Sequence, residues 1–123
     1  MIEFGMLNIS SIDIVKENNQ AYVIWDGFPV SKGHCLIIPK RVVKSFFDLK
    51  IDEKKMMLEL VDEMRLELID LYQPDGFNVG FNDGEAAGQT IMHCHIHLIP
   101  RYDGDVENPR GGVRGVIPSK QSY

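Results

Sequence analysis

The sequence predicts an α+β fold: an antiparallel sheet, one long helix and no βαβ alternation. Three observations carry that prediction. Short β-branched and aromatic runs lie on both sides of a single helical stretch. That stretch repeats apolar residues at three- and four-residue steps. The last apolar run alternates strictly between histidines and apolar residues. A chain of 123 residues, 44% hydrophobic and 25% charged, suits one domain, with a core over about 12–102 and a tail over 103–123.

The elements follow in order. Residues 12–17 read as the first strand, Asn18-Asn19 as a turn and residues 21–25 as the second strand of a hairpin. Asp26-Gly27-Phe28-Pro29 and Lys32-Gly33 are punctuators, and residues 34–38 form a short buried-type strand ended by Pro39. The helix spans 52–72, with Asp52 as N-cap, Glu53 favoured by the helix dipole, and Ile51 and Met56 as a hydrophobic staple. Its core face is Met57, Leu60, Val61, Met64, Leu68 and Leu71, and Gln73-Pro74-Asp75-Gly76 stops it. Residues 77–81 are a fourth strand, 82–89 a small-residue loop, and 90–99 a fifth strand ended by Pro100. The tail is rich in Gly, Pro and Arg and is expected to run irregularly over the surface.

Composition excludes several classes. The net charge is −5 and the basic residues are scattered, which argues against a nucleic-acid partner. Cys35 and Cys94 form neither a CxxC pair nor a disulfide framework. The N-terminus lacks the pattern of a signal peptide, and no apolar stretch approaches the ~20 residues that span a bilayer. The expectation is a cytoplasmic protein with no membrane partner.

The chemistry lies in His93-Cys94-His95-Ile96-His97-Leu98-Ile99. On a strand, the three histidines project to one face and Cys94, Ile96 and Leu98 to the other, toward the helix. The fourth histidine, His34, opens another predicted strand and can lie beside them. One reading is a metal site from His93 and His95, helped by His34 or Cys35. The outer histidines are about 13 Å apart along a straight strand, so all three cannot share one ion. No acidic or Cys cluster joins them, and no metal ligand set is assigned. The other reading is phosphoryl chemistry, because a neutral imidazole is a nucleophile near physiological pH and its neighbours can hold phosphate oxygens or deliver a proton. Asn82 and the Gly88-Gln89-Thr90 turn directly precede the strand, where donors to an anion are wanted.

The run His-Cys-His-Ile-His-Leu-Ile resembles the histidine-triad motif His-φ-His-φ-His-φ-φ, where φ is apolar. The likeness extends from about residue 12 to 101, including Gly33-His34 and the Gly-Gln-Thr turn. It implies the histidine-triad (HIT-like) fold, a five-stranded antiparallel sheet with one long helix and a short N-terminal or loop helix, as one domain over 1–123. His95 would be the nucleophile, forming a nucleotidyl-histidine intermediate. His97 would contact the phosphate and the leaving-group side, with His93 and His34 supporting. Asn82, Gly88 and Thr90 would donate to the phosphate, and Gln89 would face the leaving group. Asp26 would hold the ribose, with Ile24 and Gly27 flanking the base. The resemblance also implies a homodimer.

The Pro-Arg-Gly-Gly-Val-Arg run of the tail is similar to members described as dinucleoside polyphosphate hydrolases, and Arg110 and Arg114 are candidate contacts to a polyphosphate leaving group. Asn82 instead resembles the phosphoramidase branch. Hydrolysis at the α-phosphate of a nucleotide conjugate is therefore expected, with a dinucleoside polyphosphate favoured. A purine nucleoside phosphoramidase, a dinucleoside polyphosphate phosphorylase and a non-catalytic AMP sensor are the alternatives. No cofactor is required by this chemistry, although Mg²⁺ is compatible with a polyphosphate substrate.

Overall fold

A 22-residue helix crosses one face of a five-stranded antiparallel sheet in the computed structural model, which describes residues 2–4, 7–9 and 13–123. Strands β1 (Ile2–Phe4) and β2 (Leu7–Ile9) pair as a separate ribbon. The main sheet contains β3 (Lys16–Glu17), β4 (Ala21–Trp25), β5 (Cys35–Pro39), β6 (Gly76–Gly80) and β7 (Ile96–Arg101), in the order β3-β4-β5-β7-β6. The helix α1 (Ile51–Tyr72) packs on β4, β5 and β7.

Alternation in the strands divides the apolar residues between two clusters. Toward the helix, Val23, Cys35, Ile37, Cys94, Ile96 and Leu98 meet Met57, Leu60, Met64 and Leu68. On the opposite face, Tyr22, Ile24, Leu36 and Ile38 form a smaller cluster, and Phe4 from the ribbon joins it. The turn leading into β5 needs glycine: Gly33 has φ +92°, and a Cβ there would come within 2.9 Å of Leu68 Cδ2 and 3.0 Å of Tyr72 Cδ2.

Several elements differ from expectation. The expected short helix is met in the loops, by 3₁₀ turns at Phe46–Asp48 and Glu85–Ala87, and a β-ribbon stands near the N-terminus. The first strand of the hairpin is reduced to Lys16–Glu17, although the Val15 N–H still donates to Val23 O at 2.8 Å; residue 12 lies outside the described residues. Asn18 makes the predicted turn, its Oδ1 accepting from the Gln20 and Ala21 N–H groups. β6 begins one residue earlier than predicted.

The helix starts at Ile51, with Lys50 rather than Asp52 as N-cap. The Glu53 carboxylate accepts from the Lys50 N–H at 2.8 Å and is gripped by Arg41 at 2.7 and 3.0 Å, which fixes the cap two residues before the Asp. Ile51 is 83% exposed, so the predicted staple does not form; Leu49 is buried instead. Leu71 also turns outward, because Tyr72, four residues after Leu68, takes the core-facing position.

The last strand begins at Ile96, not at residue 90. The preceding stretch is tied to the end of β5 and the loop after it: the His93 ring bonds Pro39 O at 2.7 Å and the Cys94 N–H donates to Val43 O at 2.8 Å. The tail is less irregular than its composition suggests. It contains 3₁₀ turns at Gly112–Val116 and Pro118–Lys120.

Candidate active site

His97 stands near the start of β7, between Leu36 of β5 and Gly80 of β6 in the pairing register. Residues opposite one another in an antiparallel pair share a face. Leu36 therefore walls one flank of His97, while Gly80 has no side chain and leaves the other open; a Cβ there would meet nothing within 4 Å. His95 lies two residues back on the same face. Both imidazoles line a cavity of about 870 Å³.

The hydrogen bonds assign a tautomer to each ring. His95 Nδ1 lies 2.9 Å from His93 O. A carbonyl only accepts, so His95 carries its proton on Nδ1 and Nε2 keeps its lone pair. His93 likewise donates from Nε2 to Pro39 O, which fixes the first triad histidine as a buried strut. His34 Nδ1 accepts from the Val30 N–H at 3.1 Å, so its proton is on Nε2. That N–H points at His97 Nδ1, 2.9 Å away, with Asp26 Oδ2 at 3.3 Å. His97 Nδ1 is then an acceptor, and neutral His97 presents an N–H at Nε2.

Burial keeps these rings neutral. It pushes the His95 pKa down, against the opposing pull of the His93 carbonyl and Asp26. His97 falls to about 4, first through burial and then through His95 and His34, with Asp26 opposing. His34 is lowered by burial, again against Asp26.

Asp26, His34 and His97 place one ligand atom each within 4.8 Å of one another, a set with the chemistry of a zinc site. The tautomer argues against that use. Binding a metal at His34 Nε2 would move its proton to Nδ1, directly against the Val30 N–H. The three groups fit a hydrogen-bond relay better than a ligand set. The metal reading built on His93 and His95 fares no better, since His93 is buried on Pro39 O.

Of the sequence-derived candidates, His34, His95, His97, Ile24, Asp26, Gly27, Asn82, Gln89 and Thr90 all line the cavity. Asp26 uses Oδ1 to accept from the Phe28 N–H at 2.7 Å, which turns Oδ2 toward the histidines. Gln89 is committed internally: its amide donates to Lys44 O and Ile91 O and accepts from the Gly84 N–H. It braces the loop while lining the cavity. Gly88 is exposed and does not line the cavity; its N–H is given to Glu85 O, and the Gln89 N–H is given to Gly84 O. Asn82 and Thr90, which carry side-chain donors, line the cavity from this segment.

Arg110 and Arg114 are not brought to the cavity of their own chain. Both guanidiniums lie over the Tyr123 ring, at 4.8 and 4.9 Å, and Arg114 also donates to Gln121 O and Lys120 O. Among the described residues, no lysine or arginine lines the cavity, whereas Asp13 and Asp26 do. Sequence reasoning missed the apolar wall of Phe4, Ile14, Trp25, Phe28, Leu36 and Ile91. The strand alternation was a usable signal for Leu36, which sits opposite His97. No local signal marked Phe4.

An antiparallel sheet backed by one helix, with alternating histidines opening on a cavity, defines a histidine-triad protein. The HIT domain family matches residues 10–104, and the chain belongs to that family. It is 38% identical over 89 residues to an uncharacterized 16.1 kDa HIT-like protein of Mycoplasma pneumoniae, covering 72% of this chain and 62% of that protein. It is 30% identical to the bifunctional bis(5'-adenosyl)-triphosphatase/adenylylsulfatase FHIT of Arabidopsis thaliana, covering 85% of this chain and 58% of that one. The crystal structure of Plasmodium falciparum diadenosine triphosphate hydrolase in complex with Cyclomarin A superposes with a TM-score of 0.81 at 30% identity, over 87% of this chain and 73% of that one. The chain thus spans less than two thirds of the length of both sequence relatives. Among the described residues, no helix is long and apolar enough to cross a membrane.

Proposed function

We propose that this protein hydrolyses a nucleotide conjugate at its α-phosphate, with a dinucleoside polyphosphate as substrate. The observation that carries the reading is the His95 Nδ1–H bond to His93 O, which leaves the Nε2 lone pair for attack. Nε2 bonds to the α-phosphorus while the bond from phosphorus to the leaving group breaks, and the leaving group departs with that electron pair. His97, with its N–H on Nε2, hydrogen-bonds a phosphate oxygen on the leaving-group side. Water then cleaves the phosphorus–nitrogen bond, releasing a nucleoside monophosphate and restoring His95. The likeness to a triphosphatase and to a diadenosine triphosphate hydrolase supports this substrate class.

A second reading, a phosphoramidase, is favoured by one observation. The cavity wall has no cationic side chain among the described residues, which suits a substrate with a single negative charge. A polyphosphate would instead need its charge met by Mg²⁺ carried in with the substrate. The proposal includes a two-fold homodimer, to be read from the mass in solution.

The test follows AMP release from a diadenosine polyphosphate and from an adenosine phosphoramidate, each with and without Mg²⁺. Release from the polyphosphate only with Mg²⁺, and faster than from the phosphoramidate, supports the first reading. Metal-independent preference for the phosphoramidate replaces it with the second. Stimulation by inorganic phosphate with nucleoside diphosphate as product identifies a phosphorylase, and AMP binding without turnover identifies a sensor.

A further inference from the structure

We propose that Phe4 is a positioning residue for His95, closing one side of the imidazole and holding the ring in the plane that points Nδ1 at His93 O. The inference rests on the reading of His95 as nucleophile.

Phe4 comes from β1, in the ribbon that is separate from the main sheet, and it precedes the part of the chain matched by the HIT family. Its side chain is 2% exposed, so the ring is buried under the histidine face rather than lying loose at the terminus. Its centroid is 5.0 Å from that of His95 with the planes at 90°, and 5.6 Å from that of His93. This is the edge-on geometry that aromatic pairs prefer.

The contact matters because an imidazole held by one hydrogen bond still has a flipped state. Turning His95 about its last side-chain bond exchanges the places of its ring atoms and breaks the Nδ1–H bond to His93 O. A ring packed edge-on against it obstructs that turn. The same ring keeps water from one side of His95. Several groups that act on His95 are polar. His97 follows it on β7, the His93 carbonyl holds Nδ1, His34 and Asp26 close the relay behind His97, and Asp26 acts on His95 through its charge. Phe4 adds an apolar ring contact to these polar ones. The rest of its cluster, Tyr22, Ile24, Leu36 and Ile38, seats it on the sheet.

The experiment compares Phe4→Ala and Phe4→Leu with the native protein. Nitrogen NMR of the His95 ring, assigned by its loss in His95→Ala, is read without nucleotide across pH. Kinetics with adenosine phosphoramidate are read in parallel. In Phe4→Ala the second tautomer should gain population, and the His95 titration should move up toward the ordinary value of about 6.5. The value of kcat should fall about tenfold, with a smaller change in KM. Phe4→Leu keeps the apolar volume but not the ring edge, and should move each quantity the same way by less. A change confined to KM would assign Phe4 to nucleotide binding alone and overturn the proposal. So would native tautomer, titration and kcat in either folded variant. If Phe4→Ala does not fold, Phe4→Leu decides. The NMR reads the ring whether or not any nucleotide is turned over, so failure of the hydrolase reading stays distinguishable from failure of this one.

Discussion

Cys94 and His95 are neighbours in the chain and face opposite sides of the sheet. Cys94 joins the cluster under the helix, and His95 lines the cavity. Burial acts on both in the same sense, favouring the neutral form. It raises the Cys94 thiol to about 11 and lowers the His95 imidazolium. The consequences are opposite, because a neutral thiol is inert and a neutral imidazole is a nucleophile. The same desolvation silences one side chain and arms the next. Glu53 shows the condition for escaping it. Buried at the helix start, it stays charged, because Arg41 and the Lys50 N–H hold its pKa down.

The largest expected effect separates the two neighbours directly. His95→Ala should reduce AMP release by at least about a thousandfold, while Cys94→Ala leaves kcat unchanged. Comparable losses in both would break the comparison.

The next effect is on pH. Because His95 is held below its ordinary value, the acid limb of kcat/KM should fall below about 6.5. A limb at or above that value would contradict the arming of His95 by burial. The His97 relay carries a matching stability signature. Its folded pKa of about 4 lies below the unfolded value near 6.5, so the unfolded chain binds more protons between them. Stability is then full above the upper value and declines as pH falls toward the lower one. Urea unfolding at a series of pH values should show this decline, and His97→Asn should flatten it.

A smaller effect tests the silent side. Cys94→Ser places a hydroxyl in the apolar cluster and should cost about 1–3 kcal/mol of stability without altering kcat. Denaturant titration alongside the assay measures both. Smallest is the exception at the helix start. Glu53→Gln keeps the shape but weakens the bonds to Arg41 and Lys50, lowering stability by about 1–2 kcal/mol at neutral pH. Since the folded carboxyl is held low, that difference should shrink as pH falls through its titration. A constant difference would mean the charge is immaterial there.

The sequence made much of this legible. Met57, Leu60, Met64 and Leu68 mark the helix face by spacing alone, and the Asn18 turn shows in a short polar break between two β-branched runs. The alternation from His93 to Leu98 already separated the cavity side from the helix side. What it misjudged were places where a distant partner outweighs a local preference. Asp52 is a good cap by identity, yet Arg41 recruits Glu53 and moves the helix start. The triad stretch alternates like a strand, yet Val43 O and Pro39 O hold its first half outside the ladder. Gln89 reads as a side chain free to meet substrate, yet the backbone of Lys44 and Ile91 claims its amide.

The sequence by itself determined most of the elements and the faces on which the histidines and the apolar residues lie, because periodicity and turn chemistry act between residues a few positions apart. The tertiary structure decided the state of those residues. The proton on His34 Nε2 is set by Val30 and aimed at His97, 63 positions along the chain. The His95 ring packs against a phenylalanine from a separate ribbon, and the tail arginines are turned onto Tyr123 and away from the cavity. Tautomer and pKa depend on which donors and how much water surround a ring, and closing the fold is what brings those donors together and removes that water.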